Sequence, residues 1–193
     1  MKNRCSWANH SEIYSKYHDE EWGKPLHDDQ KLFEFLILEG MQAGLSWITI
    51  LKKREAFREA FAGFDAKQVA AFEQDKLEEL MNNQGIIRNK LKIEAAVTNA
   101  KSFLKIVDEV GSFDAYIWKF VDHKPLVNHW EKLSEIPART ELSDQISNDL
   151  KRRGFKFVGS TIVYAHMQAT GMVNDHLVSC SCHHRAQNQT KSF

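Results

Sequence analysis

The sequence has no apolar run near the roughly 18 residues that a membrane-spanning helix needs, so no membrane partner is expected. Proline is scarce, 3 in 193 residues, and 42% of the chain is hydrophobic. That combination weighs against a disordered chain and leaves enough apolar material for a real core. Cysteine is also scarce, and 3 is an odd count, which argues against a disulfide framework. The opening residues MKNRCSWANH lack the apolar stretch of a secretion signal, so the expected compartment is the cytoplasm. In that reducing setting, thiols near histidines point to metal before disulfide. No charge of one sign dominates: 26 Lys and Arg balance 26 Asp and Glu. Zero net charge weighs mildly against a nucleic-acid partner. The basic residues nevertheless cluster in LKKR (51–54), IIRNKLK (86–92) and LKRRGFKF (150–157), which could form a phosphate-facing strip or plain solvated helix faces.

Strand-like alternation is missing, and what remains reads as about eight helices, an all-α fold of one body or two lobes around a cleft. DDQKLFEFLILE has an Asp start and Leu32, Phe33, Leu36 and Ile37 on too many sides for one face, which marks a buried helix ending near Gly40. SWITILKKREAFREAFAGF starts at Ser46 and turns Ile50, Leu51, Phe57, Ala60, Phe61 and Phe64 inward. DAKQVAAF is capped by Asp65, and DKLEELMNN carries a capping-box pattern at Asp75 and Glu78. The stretch from Asn89 to Gly111 places Ile93, Ala96, Val97, Ala100, Phe103, Leu104 and Val107 at three-and-four spacing. SFDAYIWKFV, SDQISNDLKRRG and STIVYAHMQATG each open on Ser, and the last two close on Gly. Residues 121–142 form one long polar connection, and RAQNQTKSF reads as a frayed tail.

Three groups of residues carry chemistry. In MNNQGIIRNKLKI (81–93) one helix ends, a Gly-containing turn follows, and another helix starts. Such a turn can offer backbone N–H groups at a helix N-terminus to a phosphate, with Arg88, Lys90 and Lys92 adding charge. A glycine stop between two ordinary helices would look the same. In NDHLVSC, His176 and Cys180 lie four apart, one helical turn, so both can face one ion. Cys5 and His18 could complete a tetrahedral set, with Cys182, His183 and His184 as competitors. Finally, EGMQAGLSWITIL (39–51) sets Glu39 and Trp47 on either side of a break between buried helices, and Trp7, Tyr14, Tyr17 and Trp22 form an aromatic set in polar surroundings. Most tryptophans simply fill cores.

RCSW, YHDEEWG, LEGMQAGLSWITILKKRE, GIIRNKLKI, RRGFKFVGSTIVYAHMQATG and VNDHLVSC, in that order, resemble the blocks of the bacterial constitutive 3-methyladenine DNA glycosylases, from about residue 4 to 182. The resemblance implies a helix-hairpin-helix glycosylase fold with the hairpin near 75–105. It implies one glycosylase unit over 1–185; the tail HHRAQNQTKSF has no counterpart in the family, and 186–193 reads as flexible from its composition alone. It implies one structural Zn²⁺ per chain on Cys5, His18, His176 and Cys180, stapling segments 1–25 and 160–185. It implies Glu39 as the recognition and catalytic carboxylate, Trp47 stacking on the base, and Tyr14, Tyr17 and Trp22 in the pocket. Gly44 and Leu45 would enter the gap left by a flipped nucleotide, and Gly85, Ile86, Ile87, Arg88 and Lys90 would meet the DNA backbone. The implied function is a monomeric, monofunctional glycosylase that excises 3-methyladenine from double-stranded alkylated DNA and leaves an abasic site. The rivals are a zinc-stapled DNA-binding module without activity and a glycosylase for another lesion such as 7-methylguanine. CSC stands where similar chains often run more cysteines together, which leaves the outer shell of the metal site open.

Overall fold

The computed structural model describes residues 3–184, so the expected tail at 186–193 lies outside the described residues. Within them are nine α-helices: α1 (Glu12–Glu20), α2 (Asp29–Gln42), α3 (Trp47–Ala60), α4 (Ala66–Ala70), α5 (Gln74–Asn82), α6 (Lys90–Val110), α7 (Phe113–Trp118), α8 (Glu141–Arg152) and α9 (Ser160–Ala169). Two two-residue strands, β1 (Leu126–Val127) and β2 (Val173–Asn174), pair in parallel, the one departure from the all-helical expectation. No helix among the described residues is long and apolar enough to cross a membrane.

Residues 32–41 of α2 are all buried, as its all-round apolar pattern requires. α2 does not stop at Gly40 but runs to Gln42. Gly40 serves packing instead: a Cβ there would meet the Phe157 side chain at 3.4 Å. The side chains of Asp28, Asp65, Asn89 and Ser112 each cap the helix that follows by accepting a backbone N–H. Three start signals shift. α5 begins at Gln74 behind Glu73, so Asp75 lies inside the first turn, and Gln74 takes the Glu78 carboxylate at 2.8 Å. Thr140 caps α8, with Ser143 as its reciprocal partner. Ser160 is the first residue of α9 rather than its cap. The connection 121–142 holds β1 and a short 3₁₀ turn, Leu133–Glu135.

A core of Leu32, Phe33, Ile50, Phe57, Phe61, Phe103, Phe113 and Trp118 joins α2, α3, α6 and α7. In α6 the core position is taken by Ile106, and Leu104 is half-buried. The buried Glu34 of α2 binds Arg54 and Arg58 of α3, and Arg54 also reaches Glu21 at 2.7 Å. This network spans α2, α3 and the end of α1, and it fixes α3 against α2. Arg54 of the LKKR cluster is therefore spent internally. Lys53 is spent too, donating to the carbonyl oxygens of Gln84 and Gly85 at 2.9 and 3.2 Å.

Candidate active site and metal centre

The break between α2 and α3 is a lip of four residues, 43–46. Gly44 has φ +80, a left-handed conformation that glycine adopts without penalty, and no atom would crowd a Cβ there. The Leu45 N–H donates to the Gln42 carbonyl at 2.7 Å, and the Leu45 side chain is left 40% exposed at the tip. Behind the lip lies a cavity of about 380 Å³, lined by Trp7, His10, Tyr14, Tyr17, Trp22, Glu39, Gln42, Trp47, Ala165 and Gln168. The structure thus brings Glu39, Trp47, Tyr14, Tyr17 and Trp22 around one cavity, with Gly44 and Leu45 at its edge.

The cavity wall is aromatic. Trp7 meets Tyr14 and Trp22 edge-on at 5.6 and 5.1 Å, and Tyr17 meets Trp47 at 5.7 Å. The Tyr14 hydroxyl accepts the Ile48 N–H at 3.0 Å, which fixes it to the start of α3. Glu39 is 4% exposed, and loss of water raises its carboxyl from 4.5 to about 8. Burial, then the neighbouring Glu39 and Glu21, hold the Tyr17 hydroxyl well above its ordinary value, so it remains a neutral donor. The Trp47 indole N–H is buried with no acceptor in hydrogen-bonding geometry.

His10, Gln42, Ala165 and Gln168 were not foreseen. Gln168 could not be, because an internal helix glutamine looks like surface. Its amide donates to Asp175 Oδ2 at 2.8 Å. Asp175 is fully buried and also collects Asn128, Trp130 and Tyr164, so its charge is held by four donors.

Beside that wall, the ligand atoms of Cys5, His18, His176 and Cys180 all lie within 4.8 Å of one another, and all four residues are buried. His18 Nε2 stands 3.2 Å from His176 Nδ1. Cys180 Sγ stands 3.5 Å from His18 Nε2 and 3.6 Å from His176 Nδ1, and Cys5 Sγ stands 3.8 Å from His176 Nδ1. The outer ring nitrogens are engaged: His18 Nδ1 pairs with Asp19 Oδ1 at 2.9 Å, and His176 Nε2 with the Trp22 carbonyl at 3.0 Å. With hydrogens on those outer atoms, two lone pairs face each other across 3.2 Å, an arrangement that suits a cation between them. Asp19 is braced by a two-point contact from Arg4. The cluster could hold a metal ion. Residues 176–180 form a turn rather than the expected helical turn, closed by Cys180 N–H to the Leu177 carbonyl at 2.8 Å. Of the competitors, Cys182 donates its N–H to Cys180 Sγ at 3.4 Å, and His183 binds the Asn128 carbonyl. His184 is exposed. Trp22 bridges the two centres: its ring stacks on His18, meets His176 edge-on at 4.6 Å, and lines the cavity.

The segment joining α5 to α6 carries Gly85, Ile86, Ile87 and Arg88. The Gly85 N–H is already taken by Asn83 Oδ1 at 2.8 Å, and the Ile86 N–H approaches the Asn83 carbonyl at 3.4 Å. Ile86 is buried, whereas Arg88 and Lys90 are exposed. Lys92, expected to add charge outside, instead turns inward and is 8% exposed.

The profile of the methyladenine glycosylase family matches residues 7–184. The chain is 50% identical to the DNA-3-methyladenine glycosylase of Haemophilus influenzae over 182 residues, 94% of this chain and 98% of that one. It is 50% identical to DNA-3-methyladenine glycosylase 1 of Escherichia coli over 180 residues, 93% and 96% of the two chains. Its structure superposes on a crystal structure of a 3-methyladenine DNA glycosylase I with a TM-score of 0.91 at 48% identity, covering 93% of this chain and 99% of the other. The Staphylococcus aureus 3-methyladenine DNA glycosylase I superposes at 0.90 with 39% identity, covering 92% and 95%. Profile, sequence and structure agree over nearly the whole chain, and the chain belongs to the methyladenine glycosylase family.

Proposed function

We propose that the chain is a monofunctional glycosylase that extrudes 3-methyladenine from double-stranded alkylated DNA and hydrolyses its N-glycosidic bond. It would work as a cytoplasmic monomer and as one unit over residues 1–185. The observation that carries this reading is a nearly water-free carboxyl, Glu39, inside an aromatic cavity behind the Gly44–Leu45 lip. A DNA-binding module without activity would have no use for a buried acid among tryptophans. Structures of the relatives include one in complex with 3-methyladenine, which supports the same ligand here.

Each part has a physical role in that reaction. Extraction costs base stacking, and Trp47 returns it on one face. The nucleotide-bound lesion is a cation, which electron-rich rings favour over neutral adenine by about 0.5–2 kcal/mol per contact. Glu39 accepts from the exocyclic amine, and the cation next to it favours its ionised form. Water attacks C1′ as the bond to the base breaks. The bonding electrons go to the base, which leaves neutral, and the water's proton goes to solvent. No strong general acid is needed.

The hairpin spans about 75–105, and its role is to hold a phosphate with the exposed Arg88 and Lys90, since the Gly85 and Ile86 N–H groups turn to Asn83. We assign zinc to Cys5, His18, His176 and Cys180. A tetrahedral zinc with bonds of about 2.0–2.1 Å to nitrogen and about 2.3 Å to sulfur puts ligand atoms roughly 3.3–3.8 Å apart; the four spacings among His18, His176, Cys180 and from Cys5 to His176 run from 3.2 to 3.8 Å, and all the ligand atoms lie within 4.8 Å of one another. Four protein ligands leave no position for water, so its role is structural.

The test is single-turnover base release from methylated duplex DNA, with the freed bases separated by chromatography. Release of 3-methyladenine is expected, and Trp47→Ala should weaken capture of the base by about 1–3 kcal/mol. Release of 7-methylguanine alone would replace the lesion assignment, and release of no base would overturn the reading.

A further inference from the structure

Lys92 occupies an unusual place. It lies in the first turn of α6, the positive end of that helix, where a cation is unfavourable. It is also buried, which is rare for lysine. Burial alone pulls its ammonium below the ordinary lysine range. What holds it is a pair of hydrogen bonds to the last carbonyls of α2 and its lip: Nζ donates to Met41 O at 2.9 Å and to Ala43 O at 2.6 Å. These carbonyls lie where α2 ends and the negative end of its dipole is concentrated, so the charge unfavourable in α6 is favourable there. Asn89 caps the same turn of α6 by accepting the Lys92 N–H at 3.1 Å.

We propose that Lys92 is a positioning residue that ties the lip at 43–46 to the hairpin, so that phosphate grip and gap filling belong to one rigid body. The proposal rests on the assigned roles of hairpin and lip. The lip has few other ties: the Leu45 N–H meets the Gln42 carbonyl, the Gln42 side chain reaches the Leu45 carbonyl at 3.2 Å, and the Ser46 and Thr49 hydroxyls meet at 2.8 Å. All of these are local to α2, the lip and α3, and none reaches α6. Lys53 and Ala56 hold α3 to the hairpin turn, whereas Lys92 holds the carbonyls on the α2 side of Leu45 to α6. Glu39 and Trp47 keep their own helices without it. Its loss therefore leaves the base pocket formed but lets the tip drift while DNA is held.

The test compares Lys92→Met, which keeps the stem and removes the donors, with Lys92→Arg, which keeps charge and donors. Three quantities are read in each: single-turnover 3-methyladenine release from duplex DNA, affinity for free 3-methyladenine by tryptophan fluorescence, and affinity for undamaged duplex. For Lys92→Met, release should fall about 10²-fold, the cost of a small misplacement near the reacting centre. Free-base and undamaged-duplex affinities should hold, and Lys92→Arg should restore part of the rate. Unchanged release would overturn the proposal. So would release, free-base affinity and Tm falling together, because Lys92 would then only brace the core. Hydrogen exchange at residues 43–46 reads the tie without any substrate. Faster exchange confined to that segment in Lys92→Met supports the tie, and unchanged exchange overturns it even if the wild-type protein releases no base.

Discussion

Burial holds the Glu39 carboxyl at about 8 in the folded chain, against 4.5 for a free side chain. Below 4.5 both folded and unfolded chains are protonated there and burial of this group carries no charge penalty. Between those two values the unfolded chain ionises and the folded one does not, so this group makes stability fall as pH rises, and above about 8 the penalty is constant. By linkage the full penalty is up to about 5 kcal/mol. Glu39→Gln keeps shape and one acceptor without a titrating proton. Its Tm should match wild type near pH 4 and exceed it progressively up to pH 8, while 3-methyladenine release drops. Thermal melts across that range, paired with excision rates, check both halves. A variant no more stable at pH 8 than at pH 4, relative to wild type, would remove the dry-carboxyl account. At Trp22 the stake differs: one ring touches both metal-centre histidines and the cavity, so its replacement by Phe should disturb metal retention and base affinity together.

The elements show what a sequence can reveal and where it stops. Asp28, Asp65 and Ser112 announced their helices because a cap is a local matter between a side chain and the next turn, whereas the cap at Asn89 was not read from the sequence. The buried faces of α2, α3 and α6 were legible because burial follows period. Lys92 was misjudged because periodicity reports which face is polar and says nothing of a carbonyl pair 49 and 51 positions away. Gln168 and Asp175 escaped for the same reason, whereas Glu39 and Trp47 stood out as chemistry at a chain break. Gly85 also gains a different meaning. A Cβ there would meet Ala56 at 2.9 Å, so its smallness lets the hairpin close on α3, and Gly85→Asp would damage packing as well as charge. Arg88→Ala is the cleaner probe of the hairpin. It should weaken damaged and undamaged duplex alike and lower the salt slope of binding by about one unit. An effect confined to lesion-bearing DNA would count against a phosphate contact. Gly171 offers a stability test. At φ +70 its Cβ would lie 2.1 Å from the Lys24 carbonyl carbon, a clash with backbone that no rotamer relieves. Gly171→Ala should cost more than about 2 kcal/mol in denaturant unfolding.

At the scale of the whole molecule, the four metal-centre side chains come from opposite ends of the described chain. The Ser181 N–H donating to the Asn3 carbonyl at 2.8 Å seals the same seam. On the proposed zinc assignment, a chelator should lower Tm and weaken free 3-methyladenine binding in parallel, since Trp22 touches His18 and His176 and also lines the cavity. Cys180→Ser should lose zinc by elemental analysis while retaining helical circular dichroism from α2, α3 and α6. Full zinc content in that variant would reassign the ligands. The seam also has a consequence for how the molecule comes into being on a ribosome. Chains are made from the N-terminus at about 5–20 residues per second. Trp7, Tyr14, Glu39 and Trp47 emerge first, yet their cavity also needs Ala165 and Gln168, and its rear support needs His176 and Cys180. A nascent chain released at the end of α8 would hold most of the core helices and only part of its cavity wall, so the cavity closes only after α9 and residues 176–180 have been made.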